Sequence, residues 1–582
     1  MIKRFYSTKD NTLANAFQEN LTTRATGSNM GASDILEVFS IYGQASSTSS
    51  ELARTLIEFD PTYTSIPSNA KWYLRMFNVP HSQTIPSNFT LNVSAVSQSW
   101  EEGYGIDMDY YEDETKDGVG SNWINRTGDD IAEITKFTFS SDTASDYGAG
   151  TAANYIKLYN SSTLVNFWFD DGAGDSAGDT GTWVSTTINN TGSKNNFASD
   201  FSSIVNQQSG FSANVISNIV YVTASTAGTA TGHVAAAGTL SGLTAEVGTS
   251  GSNSTKWVSP GGDFHNVSSS NKALLTGLEN LEVEVTDIVN EWRDSTWSNY
   301  GFGVALSSSH ESAAKSFYTK KFFGRDSEFF FQRPVLEARW DSARKDDRGY
   351  FYASSSLVSA TDNLNALYLY NRVRGRLRDY PVMPTSASLR LNSTDAVGSN
   401  LAAAAVSKVS TGIYKADIAL DTTASVVYDI WYSGSVAYHT GSVSVKSFNS
   451  FGYNPEDAYV LSMPSLRDEY RKDQTHRLNL YVREKNWSPN IYTQAVKTSI
   501  PSLIIPSASF QLRRAIDDYV VVSYGTGSTM HTGLSYDVSG NYFDLDTTYL
   551  EAGYLYDIQY SFYDEENGWE EQPYRFKFRV VD

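Results

Sequence analysis

Short runs in which every second residue is apolar constrain this chain more than any other feature. "AKWYLRMFNV" (70–79) places Trp72, Leu74 and Met76 on one face, and "FTLNVSAVSQSW" (89–100) alternates at Phe89, Leu91 and Val93. "RTLIEFD" (54–60) reads as a further strand, with Leu56 and Phe59 among its apolar residues. A period of two belongs to a half-buried strand. Between the runs lie Ser, Thr, Asn and Gly, while 37 tyrosines and 29 phenylalanines face only 14 prolines. That balance suits strands joined by short turns, so the fold class is all-β. At 582 residues the chain is too long for one core and is multidomain. It has no cysteine, which removes disulfides, thiolate metal sites and cysteine nucleophiles and leaves each domain to stand on apolar burial.

The formal net charge is −21, the wrong sign for tracking phosphates, so nucleic acid is not an expected partner. "MIKRFYSTKD" has no apolar run behind its basic residues, so no signal peptide is expected, and no stretch is apolar enough for a membrane span.

Two segments break the alternation in the same way. In "LNVSAVSQSW" Val96 is followed four residues later by Trp100, and in "LEVEVTDIVNEW" Ile288 is followed by Trp292. Such a pair shares a face only on a helical turn. Each strand is therefore expected to end in one turn of helix whose tryptophan plugs the end of a sandwich, with Thr286 or Asp287 capping the second turn.

The phrases "SNMGASDILEVF", "RTLIEFD", "SIPSNAKWYLRMFNV", "VSQSWEEGYG", "NWINRT", "KWVSPGGDF", "VEVTDIVNEW", "NYGFGVAL" and "FFFQRPVLEARW" follow one another in this chain. In that order they resemble DNRLRE-type domains, jelly-roll-like β-sandwiches related to carbohydrate-binding modules and found in cell-surface, spore-coat and phage structural proteins. The six-letter motif behind the family name is absent, so no sugar-binding residue is carried over. The phrases from Arg348 to Asp582 resemble the C-terminal part of structural proteins of cyanophages and other marine tailed phages.

The resemblance and the strand patterns together divide the chain. A jelly-roll-like β-sandwich is split into 1–128 and 254–345. Inside it 129–253 forms a small β-rich α+β domain, where Phe197, Phe201, Ile204 and Val205 fall at helical spacing. Further antiparallel β-sandwiches follow, an immunoglobulin-like one at 346–450 and an all-β domain at 451–582.

Chemistry is sparse. Seven histidines (81, 233, 265, 310, 439, 476, 531) are dispersed, and no metalloprotease, nucleophile-elbow or phosphate-loop motif occurs. Two acidic loops combine hard oxygens with flexibility: Asp107, Asp109, Asp113 and Asp117 in one, Asp170, Asp171, Asp175 and Asp179 in the other. They read as calcium loops or as solvated turns, neither having the EF-hand order. No cofactor is otherwise expected. Arg372, Arg374, Arg376 and Arg378 would share one side of an extended strand, either as a dock for an acidic partner or as an edge guard. Trp72, Trp123, Trp257 and Trp297 are glycan platforms only if exposed. The resulting expectation is a non-enzymatic virion protein of tail or fibre, a symmetric homo-oligomer contacting other virion proteins through tyrosine-rich faces. Capsid decoration, adhesion to host surface glycans, and capsule hydrolysis by a carboxylate pair are the alternatives.

Overall fold

A computed structural model describes the chain apart from residues 44–45, 47–48, 82–85, 108–118, 129–132, 148–154, 161–162, 171–181, 188–191, 226–233, 237–240, 250–255, 315, 382–386, 396–398, 447–458, 486–490, 492–501, 528 and 565–566. Contacts divide it into two compact units: Phe5–Thr64 with Trp72–Leu336, and Met1–Arg4 and Ser65–Lys71 with Glu337–Asp582. Both are built from strands in mostly antiparallel sheets, as the period-two runs predict.

In the first unit, strands from two distant stretches of chain interleave in a ten-stranded sheet. Phe89–Val96 lies between Phe264–Leu274 and Phe302–Leu306, and Lys71–Met76 pairs with Leu281–Glu284. The inward face of Lys71–Met76 is Trp72, Leu74 and Met76, all fully buried. Nested in this unit are two four-stranded sheets and the helix Lys194–Val205. Phe197, Phe201 and Val205 of the helix pack with Phe137, Phe139, Tyr147 and Phe167, while Ile204 lies at the margin. Thr163–Asp170 runs parallel to Thr182–Thr187 there, an exception to the antiparallel rule.

Only one of the two expected helical turns forms. Thr286–Arg293 is a helix that buries Ile288 and Trp292, with the Trp292 ring 4.7 Å from that of Phe302. Neither Thr286 nor Asp287 caps it. The cap position is Val285, and the Thr286 hydroxyl instead accepts from the Trp72 amide (3.0 Å) and donates to Glu284 (2.9 Å). No helix follows Phe89–Val96. The Glu101 amide, which a helical turn would aim at Ser97 O, goes to Arg126 O instead, and the segment is tied down further by the Ser97 amide on Asp263 O and Trp100 Nε1 on Tyr300 O. Tertiary partners thus replace the helical turn, and Val96 and Trp100 still meet in one cluster with Leu13, Leu56, Trp123 and Trp257.

The second unit holds two sandwiches of the same topology. In the first, a five-stranded sheet runs Phe351–Tyr352, Val436–Lys446, Val426–Ser433, Ala387–Asn392, Asn400–Ala405, facing Asn365–Tyr370, Ile413–Ile418, Ser407–Ser410. In the second, Glu469–Arg471, Phe576–Val581, Leu555–Asp564, Ala508–Arg514, Tyr519–Val522 face a sheet containing Thr475–Glu484, Gly540–Asp546, Ser535–Asp537. Taken in chain order, each strand of the first has a counterpart in the second with the same pairings, to which the second adds Tyr459–Ser462 beside Thr475–Glu484 and Gly568–Glu571 beside Leu555–Asp564. In both, the opening short strand runs parallel to the last. This arrangement of two sheets around a dense aromatic core is that of an immunoglobulin-like sandwich. Tyr414 and Trp431 centre the first core, and Phe510, Phe543 and Tyr560 the second.

Equivalent strands carry the near-identical "YDIWYS" (428–433) and "YDIQYS" (556–561), yet opposite faces point inward. In the first, Val427 and Trp431 are in the core. In the second, the tyrosines turn in, with Tyr556 against Phe578 and Tyr560 against Phe543. A one-residue shift flips every side chain of a strand. The differing residue fits the choice made: an indole is turned inward in one, a glutamine amide away from the core in the other.

Candidate interaction surfaces

The tryptophans expected to offer glycan platforms are mostly committed to cores. Trp72 is fully buried, Trp257 is 4% exposed and Trp123 is 7% exposed. The Trp257 indole donates to Asn122 O (2.9 Å). The Trp123 ring has the Arg54 guanidinium over it at 5.5 Å, and a Cβ added to Gly261 would fall 2.7 Å from it. Gly261 also has φ +90° and donates its amide to Trp123 O, so only glycine suits the position. Trp123 and Trp257 are therefore structural, which corrects their reading as sugar platforms. Trp297 is half-buried, with the His265 imidazole stacked parallel at 4.1 Å.

The arginine row is not a row. Arg372–Val373 and Arg376–Leu377 are the two arms of a tight hairpin, with Arg372 opposite Leu377 and Val373 opposite Arg376. Its turn is Arg374-Gly375, both with positive φ (52° and 80°), the conformation that matches the twist of a two-residue hairpin. Cross-strand partners share a face, so Arg372 and Arg376 lie on opposite faces of the ribbon. All four arginines, Arg378 included, are exposed. The expectation of one basic strand face is overturned because the Arg-Gly pair reverses the chain.

Of the acidic loops only the rims are described. Asp107 is buried, and its Oδ2 accepts from the Asn29 amide at 3.2 Å, pinning the start of its loop. Asp109, Asp113 and Asp117 lie outside the described residues, as do Asp171, Asp175, Asp179 and the side chain of Asp170. Among the described residues no group of three or more His, Cys, Asp or Glu could hold a metal ion. His233 is also outside them. His531, packed in the second sandwich, is pushed down to about 4, first by burial and then by Arg339.

Several groups the sequence reading passed over are the most tightly held polar centres. Asp429 is fully buried; it takes two bonds from the Arg348 guanidinium (2.8 and 2.5 Å) and one from Trp431 Nε1 (2.8 Å). Glu337, also fully buried, is paired with Arg4 (2.7 Å) and Arg339 (2.6 Å). The Asp10 carboxyl, inside the first unit, is raised to about 7, chiefly by burial, against the lowering effect of the Arg325 amide that it accepts from. The available signal was an acid at an inward-facing position of an apolar run, as in "VYDIWYS" and "VLEAR".

The two immunoglobulin-like sandwiches are joined by a polar seam. Tyr536 O–H donates to Asp347 (2.7 Å), the Tyr536 amide to Arg344 O (2.9 Å), and the Asp346 amide to Tyr536 O (3.1 Å). The Tyr370 phenol lies close enough to that of Tyr542 for each to influence the other's titration, and the Arg477 guanidinium is 4.1 Å from the Tyr542 ring. Burial raises the Tyr536 phenol, and the neighbouring Asp347 carboxylate adds to the shift. A cavity of about 70 Å³ in this unit is lined by Arg344, Phe510, His531, Tyr542, Asp544 and Tyr549, among others. It suits a few waters and falls well short of the roughly 300 Å³ where small-molecule sites begin.

No known protein family and no curated protein matches this chain. Solved structures do. The adhesin InvE of Yersinia pseudotuberculosis aligns at 13% identity over 39% of this chain and 56% of its own, with a TM-score of 0.14. The Escherichia coli adhesin FdeC aligns at 10% identity over 49% and 79%, TM-score 0.12. The tandem immunoglobulin repeats of Dlar align at 11% identity over 37% and 89%, TM-score 0.12. The chain thus spans little more than half of the InvE structure. These likenesses bring no functional residue with them.

Proposed function

We propose that this chain is a non-enzymatic structural component of a tailed-phage virion, associated with the tail or fibre and working by repeated protein–protein contacts. The observation that supports it most is the duplicated immunoglobulin-like sandwich with a polar seam between the copies. Two sandwiches with separate aromatic cores, joined through Tyr536, Asp347 and Arg344, make a spacer rather than a cleft. The order of DNRLRE-like phrases upstream adds the virion context. Part of the tyrosine surface expected to bind neighbours is spent inside the chain, since Tyr368, Tyr536 and Tyr542 are buried. Partner contacts therefore fall to other surfaces. The test is to purify particles of a phage that encodes the chain, quantify it by mass spectrometry, and locate it in a density map. A symmetric, stoichiometric set of copies on tail or fibre is expected; a chain absent from washed particles overturns the reading.

A second reading, a glycan-adhesion module, draws on Trp297, which retains exposed surface while His265 holds its ring in place. A glycan array probed with the wild-type chain and Trp297→Ala separates the two. Binding lost in the variant favours adhesion, and no binding on any glycan removes it.

A further inference from the structure

In a chain with 65 acidic residues against 44 lysines and arginines, an arginine readily finds a carboxylate. In the second unit Arg4 and Arg339 meet Glu337, Arg348 meets Asp429, Arg477 meets Asp544 and Arg514 meets Asp517. Among the described residues, Arg372, Arg374, Arg376 and Arg378 meet no acid, and their guanidiniums make one hydrogen bond, from Arg372 to Gly375 O within the same turn (3.4 Å). The segment that follows at 382–386, "VMPTS", has no acid in its sequence to offer.

The four arginines stand on a prong. Among the described strands, Arg372–Val373 and Arg376–Leu377 pair with each other alone. The ribbon is rooted at Asn371 and Arg378. There the Arg378 amide donates to Asn371 O (3.0 Å), the Asn371 side chain to Arg378 O (2.6 Å) and the Asn371 amide to Gly412 O (2.8 Å). Beyond the root, residues 372–376 are all exposed, and a Cβ added to Gly375 would meet nothing within 4 Å. Side chains alternate along each arm, so Arg376 and Arg378 share one face, Arg372 lies on the other and Arg374 is at the tip. Three residues of strand reach about 10 Å. That is about one Debye length at physiological salt, so an anion at the tip is largely screened from the acidic body.

We propose that this hairpin binds an anionic polysaccharide, one that carries carboxylates or phosphates along a thin chain. Guanidinium forks take either group in a bidentate manner. Charge sets the sign of the ligand, and placement sets its shape. A folded acidic protein would meet one face of the ribbon and bring its own charge against a chain of net charge −21. A thin chain can pass round both faces and the tip without approaching that body. Single-stranded nucleic acid is equally thin but is held by aromatic stacking, and "NRVRGRLRD" (371–379) has no aromatic residue. A disordered acidic peptide must fix several torsions for each carboxylate, whereas a sugar ring holds its substituents already placed. Neither the virion role nor Trp297 enters into this assignment.

Fluorescently labelled dextran, carboxymethyl-dextran and dextran phosphate test it, by anisotropy with the full chain over a range of salt, beside polyglutamate and single-stranded DNA. Binding to a charged dextran and not to plain dextran, weakening as salt rises, is expected. Arg372→Gln with Arg376→Gln should weaken that binding about tenfold and flatten its salt dependence, with the melting curve unchanged. The corresponding lysine pair keeps the charge without the fork and should fall between the two. Charged dextrans left unbound at low salt overturn the proposal, as does equal binding by the glutamine pair. Polyglutamate or DNA bound at least as tightly as either charged dextran overturns it too, and assigns the prong to an acidic protein or to a nucleic acid.

Discussion

The buried ions are where single residues decide most. Arg348 is the partner that compensates the Asp429 carboxylate, so Arg348→Met strands a charge whose remaining side-chain donor among the described residues is the Trp431 indole N–H. Breaking one side of such a pair costs about 3–5 kcal/mol, whereas replacing both sides with apolar groups is often neutral. Urea denaturation is expected to show that loss for Arg348→Met and recovery of most of it in Arg348→Met with Asp429→Leu. Asp10 gives a pH dependence of definite sign. Its folded value, about 7, lies above the ordinary carboxyl value of 3.8, so the folded state holds the proton more tightly. The stability it contributes is complete below the unfolded value and is lost as pH rises through about 7. Thermal melts at pH 5 and pH 8 are expected to differ less for Asp10→Asn than for the wild type; an equal difference in both refutes the assignment.

At the scale of elements, alternation identified strands such as Lys71–Met76 and Phe89–Val96, and helical spacing found Lys194–Val205. These were legible because their signal is local: one face is apolar and its period is fixed. What was not legible depended on partners remote in sequence. The segment after Val96 is not helical because Arg126 O takes the Glu101 amide, and nothing in "SAVSQSW" announces that partner. The Trp123 and Trp257 side chains look identical to sugar platforms until Arg54 and Asn122 are placed beside them. The arginine hairpin was misread for a different reason, since its Arg-Gly turn signal was present but outweighed by the charge pattern. Arg374 at φ 52° suits asparagine better, and Gly375 at φ 80° suits little else. Hydrogen exchange across 372–377 is expected to slow in Arg374→Asn and to quicken in Gly375→Val, with the rest of the chain unchanged.

For the second unit as a whole, the question is whether two cores melt as one. Each sandwich buries its own aromatic cluster, so each could unfold alone, and any coupling must pass through the seam. The seam is mostly polar. Its backbone part, Arg344 and Asp346 bonded to Tyr536, survives side-chain substitution, while the Tyr536–Asp347 bond and the polar contact between the Tyr370 and Tyr542 phenols do not. Asp347 is itself half-buried, and burial raises its carboxyl. Removing the phenol leaves it with the Ala366 amide as its remaining hydrogen-bond donor among those described. A buried acceptor that loses a partner costs about 1–3 kcal/mol. Tyr536→Phe combined with Tyr542→Phe is therefore expected to lower the coupling without touching either core. In calorimetry, a single transition for this unit in the wild type should broaden or split in the double variant, while near-ultraviolet dichroism at low temperature stays native. A double variant that melts as one sharp transition at the wild-type temperature would assign the coupling to the backbone bridge at Lys345 and Tyr536 instead.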